Sequence, residues 1–194
     1  VHSVGGWISL AAVLVIGPRL GRFSKGGTSR NINGQNLPLS TLGTFLLFFG
    51  WFGFNGGSLM QPDERLATIF ANTALAACFG GLAALILSWR MYSMQGIRYT
   101  MNGLLAGLVA VTAGANVLFS TDTVIIGFIA GLLSVLLTRL LERLKIDDVV
   151  GAIPVHLGGG IWGTLAVALF APLEQLVLGS RMDQFLIQLG GVVA

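Results

Sequence analysis

Apolar runs about as long as a bilayer is thick, separated by short charged connectors, leave this chain few possible folds. A spanning helix takes about 20 mostly apolar residues, because the hydrocarbon layer is about 30 Å thick and each residue rises about 1.5 Å. Residues 1–18, 39–58, 66–89, 101–117 and 123–141 fit that requirement, 101–117 being the shortest. A sixth run covers 148–171, and a seventh begins at 184. Of the residues, 54% are hydrophobic and only 10% charged, where an ordinary soluble domain carries about a quarter charged. Water cannot solvate a surface so poor in charge, so the solvent must be lipid. The expected fold is all-α, a polytopic membrane helical bundle forming one membrane domain over residues 1–194.

The connectors test this threading. The first holds Arg19, Arg22, Lys25 and Arg30, the third Arg90 and Arg98, and the fifth Arg139, Arg143 and Lys145. The alternate connectors hold only Arg65 and Arg181. Basic residues gather on the cytoplasmic side of membrane proteins, so the odd connectors are placed there. The net charge of +3 does not indicate nucleic acid, because the charges sit between apolar spans and form no basic face interleaved with aromatics. Cys78, the single cysteine, can form no internal disulfide and is expected to be an inert packing thiol.

The only two histidines, His2 and His156, lie 154 positions apart in matching frames. Val1-His2 precedes Gly5-Gly6, an apolar run and Pro18; Val155-His156 precedes Gly159-Gly160, an apolar run and Pro172. Ala12/Ala166 and Val13/Val167 coincide as well. By the charge count the two histidine helices cross the membrane in opposite directions. A repeated motif in opposed orientations marks an inverted-topology repeat, with its site between the halves. The repeat is already under way at Val1 and an apolar run opens at 184, so the sequence is expected to be an internal piece of a longer membrane protein.

An ionisable side chain inside an apolar span is costly and is by default a candidate for a polar pathway. His156 follows Asp148 by eight residues, about 12 Å along a helix, which puts it within the hydrocarbon layer. One isolated histidine would most simply pack against a neighbouring helix; two in matching frames favour a shared path. A neutral imidazole offers one donor and one acceptor, so two rings could share a proton and line a narrow passage for a small polar molecule. A metal would need further ligands, and no cysteine or carboxylate lies at that depth, so no metal and no cofactor are expected. An intramembrane enzyme would need a nucleophile or acid beside the histidines, and none is present.

The second distinctive stretch is Gly50-Trp51-Phe52-Gly53-Phe54-Asn55-Gly56-Gly57-Ser58. Its aromatics form either an interface belt or a vestibule, where ring faces attract a small cation and Ser58 offers an oxygen. Asp147 and Asp148 look like a helix start, with carboxylates capping free amides. Asn72, Thr73, Asn102 and Thr112 are polar groups within spans, expected to hydrogen-bond between helices.

These pieces together resemble the ammonium transporters of the Amt/Mep/Rh group over essentially the whole chain. The matching residues are Val1-His2, Gly50 to Ser58 as written above, Phe70-Ala71-Asn72-Thr73, Ala106 to Thr112, and Asp147-Asp148 through Val155-His156 to Gly163-Thr164. The resemblance implies eleven helices in an inverted repeat of five plus five, and a homotrimer with one pore per subunit. This chain would run from the fifth helix into the eleventh. His2 and His156 would be the paired pore histidines, Phe54 one of two phenylalanines gating the outer mouth, Ser58 the serine of the external recruitment site, and Trp51 a further residue of the substrate pathway. Thr112 would lie beside the pore.

The implied activity is passage of ammonium or ammonia across a plasma membrane of the bacterial inner-membrane type: capture outside, loss of a proton, then movement past the histidines. The implied partners are the lipid bilayer and a cytoplasmic regulatory protein. The alternative is an ammonium sensor that uses the same pocket and is fused to a signalling domain. The chain departs from the pattern at Gly151, where an aspartate is frequent, and at Leu157, where glycine is frequent.

Overall fold

The computed structural model describes residues 1–24, 29–92 and 96–193; Lys25, one of the basic residues counted above, lies outside them. The described residues form α1 (His2–Ile16), α2 (Leu37–Gly57), α3 (Arg65–Tyr92), α4 (Gly96–Thr112) and α5 (Ser120–Arg143). A π-helical turn, Ile153–Gly158, then leads directly into α6 (Gly159–Phe170), and a short 3₁₀ turn (Leu173–Gln175) precedes α7 (Arg181–Val193). Four stretches are long and apolar enough to cross a membrane: Leu37–Gly57, Arg65–Tyr92, Ser120–Arg143 and Ile153–Phe170. The molecule is thus a membrane helical bundle.

Glycine spacing builds its centre. Gly103 and Gly107 on α4, and Gly127 and Gly131 on α5, are two small-x-x-x-small pairs. A Cβ on any of the four would overlap the Ala76–Gly80 stretch of α3: Gly103 and Gly131 face the Gly80 carbonyl, Gly107 and Gly127 that of Ala76. Missing side chains let backbones meet closely, which is how helices associate where lipid is as apolar as leucine. Also on α4, Gly163 of α6 rests on the Ala110 backbone in the same way.

The elements differ from the sequence expectation in several places. The run expected at 101–117 is a helix over Gly96–Thr112 followed by turns. Asn72, fully buried on α3, explains the stop: its Nδ2 donates to the carbonyls of Ala115 (3.0 Å) and Leu118 (2.9 Å), which supply turn oxygens with partners outside a helix. The first helix stops at Ile16, with Gly17 at a positive φ (78°) just before Pro18. Glycine adopts that backbone without the steric penalty an L side chain would meet.

The helix expected from 148 starts later. Asp148 does act as the cap, its Oδ1 accepting from Gly151 N (3.0 Å) and Ala152 N (3.1 Å) and its Oδ2 from Ile153 N (2.7 Å). Pro154 sits in the first turn, where a missing N–H costs nothing, and the chain winds as a wider π turn through His156. Asp147 caps nothing: its carboxylate takes a forked pair from Arg19 (2.8 and 2.9 Å) and a further bond from Arg22 (3.2 Å). Arg22 also reaches Glu142 at 3.0 Å. Finally, Cys78 is exposed on α3 rather than packed.

α1 and the α6 segment run antiparallel. Gly6 lies against the backbone of Leu157, and Gly160 against the backbone of Ser3. Under the 154-residue offset Ser3 corresponds to Leu157 and Gly6 to Gly160, so each contact is the image of the other. A reciprocal contact of this kind is what a two-fold axis produces. The two matching frames thus meet in space about a local two-fold axis.

Candidate functional site

Four rings from three elements form one stack. His2, at the start of α1, faces His156, in the π turn, with ring centroids 5.4 Å apart and planes inclined 27°. Trp51 of α2 covers the other side of His2 at 5.3 Å and 20°. Phe54, one turn further along α2, lies 5.7 Å from both His2 and Trp51. These distances fall in the range of offset-stacked and tilted aromatic pairs. The glycines beside the histidines permit the approach, since a side chain on Gly6 or Gly160 would push the two helices apart.

Thr112 fixes the indole. Its hydroxyl donates to the carbonyl of Leu108 one turn back (2.8 Å), so the remaining lone pairs face outward, and one accepts the Trp51 Nε1–H at 2.9 Å. Trp51 is only 8% exposed, and this bond holds its ring in register with His2. His2 Nε2 is buried without a partner among the described residues. A buried polar atom left unpaired is costly, and this one lies within the ring cluster.

Ser58 lies one turn beyond Phe54, exposed. Its hydroxyl donates to the Phe54 carbonyl at 2.7 Å, which leaves only acceptor lone pairs directed outward. An N–H donor such as ammonium could use them. Phe54 itself is 46% exposed, at the open end of the stack. Of the six site residues expected from sequence, five are brought together: His2, His156, Trp51, Phe54 and Thr112. Ser58 stands outside the stack, at its mouth.

Two polar groups were treated in the sequence only as interhelical partners or backbone-shaping residues. Asn55 is 4% exposed and its Nδ2 donates to Thr73 Oγ1 at 2.9 Å. Because Thr73 gives its own proton to the Ile69 carbonyl (2.7 Å), it can only accept from Asn55, and the amide orientation is fixed. Asn55 Oδ1 is left buried and unpaired. The available signal was its spacing of four from Trp51, which places both on adjoining parts of one helix surface. The second group, Asn102, faces Gly151 near the far end of α4.

The ammonium transporter family model matches residues 1–194. A putative ammonium transporter of Synechocystis is 45% identical over 99% of this chain and 36% of its own length. An ammonium transporter of Archaeoglobus fulgidus is 45% identical over 88% of this chain and 37% of its own length. The chain therefore spans little more than a third of these curated relatives. Among solved structures, one described as a sensor Amt protein superposes over the whole chain and 48% of its own, with a TM-score of 0.95 and 44% identity. Candida albicans Mep2 superposes over 97% of this chain and 44% of its own, with a TM-score of 0.84 and 28% identity. With its full length matched, the chain belongs to the ammonium transporter family.

Proposed function

We propose that the whole protein moves ammonium or ammonia across a membrane along the ring stack, with Phe54 at the outer gate and His2 and His156 lining the path. The observation that carries it is the pairing of two imidazoles at 5.4 Å from oppositely directed helices, with aromatic rings continuing from them to an open mouth. Ammonium arriving at Ser58 meets hydroxyl lone pairs and ring faces, which favour a cation that donates hydrogen bonds. Beyond Phe54 the surroundings are aromatic and uncharged, where an ion is far more costly than a neutral molecule. Loss of a proton before the histidines follows, and ammonia then passes along imidazoles able to donate and accept. Potassium has a similar charge but no proton to lose, so the same path would exclude it.

The protein sits in a bacterial-type plasma membrane with the 19–36 connector on the cytoplasmic side, as a homotrimer, and binds a cytoplasmic regulatory protein. The similarity to a sensor Amt protein favours a second reading, in which the same pocket reports ammonium to an attached signalling domain. Uptake of labelled methylammonium by the full-length protein in vesicles tests both. His2→Ala and His156→Ala should each change uptake or its selectivity while leaving assembly intact. Parental uptake and selectivity in both variants would overturn the pathway. Binding of ammonium by the parent without any uptake would support the sensor.

A further inference from the structure

Resting on the pathway proposed above, we infer that Arg22 is a positioning residue for the imidazole pair: from the connector end of the bundle it fixes α1 against the π turn, and the alignment of His2 with His156 depends on it. The two rings come from separate elements, so their spacing is set by how those elements lie against each other. The contacts at Gly6 and Gly160 set how closely the two approach. Resistance to sliding needs directional contacts, and hydrogen bonds supply them.

Those bonds stand at the connector end of the same seam. Arg19, just past the end of α1, gives Asp147 its backbone N–H (3.0 Å) as well as its guanidinium. Asp147 immediately precedes Asp148, whose carboxylate holds the first amides of the turn that carries His156. Arg22 closes the arrangement. Its Nε donates to Asp147 at 3.2 Å and its Nη2 to Glu142, near the end of α5, at 3.0 Å. Its Nη1 donates to the Ser29 hydroxyl and the Arg30 carbonyl of the connector. The Arg22 side chain is 8% exposed and that of Asp147 2%. One planar guanidinium thus ties the connector, α5 and the approach to the π turn together, a fork that lysine cannot reproduce.

The clamp has no image under the repeat. Carrying the 154-residue offset one turn past the matching frames puts Leu173 and Leu176 where Arg19 and Arg22 stand. Histidines and glycines recur in both frames, whereas the guanidinium groups occur in one. The imidazoles are therefore held in register from a single side. Loosening that side lets α1 shift along the π turn while the glycine contacts keep the helices together. The expected result is a misaligned pair in an assembled protein, with selectivity lost before assembly.

The test uses the full-length protein in vesicles, with assembly checked by size-exclusion chromatography, and reads the ratio of rubidium to methylammonium flux. Rubidium stands in for potassium, which has no proton to lose. The ratio does not depend on how much protein is folded, so a merely structural loss leaves it where it was. Arg22→Gln should raise it about tenfold, the order by which a slight misplacement of positioned groups degrades a site. Arg22→Lys, which keeps the charge without the fork, should raise it less. Arg65→Gln, which removes an exposed pair with Asp63, should leave the parental value. Removing one partner of a buried ion pair is strongly destabilising, so where Arg22→Gln does not assemble, Arg22→Lys decides. A parental ratio in the deciding variant overturns the inference. If His156→Ala raises the ratio while that variant does not, the failure belongs to Arg22 alone; if neither moves it, the pathway fails as a whole.

Discussion

Asp147 is nearly sealed from solvent and holds two guanidinium groups, Arg19 through a forked pair and Arg22 through a single bond. The Arg19 hydrogen bonds pull its carboxyl down to about 2, from an ordinary value of 3.8. A carboxylate whose folded pKa is depressed stabilises the fold fully above its unfolded pKa, and that contribution disappears as pH falls through the folded value. Thermal unfolding in detergent should therefore lose stability as pH drops from about 4 to about 2, and Asp147→Asn should flatten that slope while lowering stability at neutral pH. Retention of the full acid slope in the variant would show that other groups titrate there. The sequence presented Asp147 and Asp148 as an identical pair at a helix start, and only one of them caps. Sequence could not separate them, because the partners of Asp147 lie more than a hundred residues away on the connector after α1. His2, Trp51, Phe54 and His156 were legible for the opposite reason: an ionisable or bulky aromatic group in an apolar, glycine-rich frame stands out against its own neighbours.

At the scale of elements, the two-fold exchange between α1 and the α6 segment makes a paired expectation. Gly6→Ala places a methyl into the Leu157 backbone, and Gly160→Ala places one into Ser3 and His2. Overpacking of this kind costs about 1–3 kcal/mol, and the two variants should be destabilised to similar extents in a thermal melt. Gly5→Ala has nothing within 4 Å of the new methyl and should melt close to the parent. A large difference between Gly6→Ala and Gly160→Ala would argue against the reciprocal contact. The existence of the helices could be read from apolar length alone, since burial in lipid leaves little choice. Their ends could not: α4 stops at Thr112 because Asn72 captures distant carbonyls, and the π turn over Ile153–Gly158 has no local signal, since a first-turn proline suits a regular helix equally well. The close seam on α3 rests on the Gly103/Gly107 and Gly127/Gly131 pairs, which do not stand out among 28 glycines until the helices are seen to meet.

For the whole molecule, the asymmetry of basic residues between alternate connectors makes a prediction about orientation. In the full-length protein with Cys78→Ser, a cysteine introduced at exposed Asn116 should react with a membrane-impermeant maleimide in intact cells. One at exposed Asn33 should react only after permeabilisation. The reverse pattern would invert the assignment of the two sides. Composition settled the solvent, and the histidine frames settled the symmetry; what surrounds the exposed apolar faces of α1 and α2, such as Phe45, Leu46 and Phe49, is not written in these residues.

The mirrored contacts of α1 and α6 carry one more implication. A scaffold that looks the same after being turned over cannot by itself prefer one direction of flow. On the proposed pathway, any bias between entry and exit has to reside in groups without an equivalent across the two-fold axis, and Ser58 at the proposed mouth is the first to exchange, with the paired imidazoles untouched.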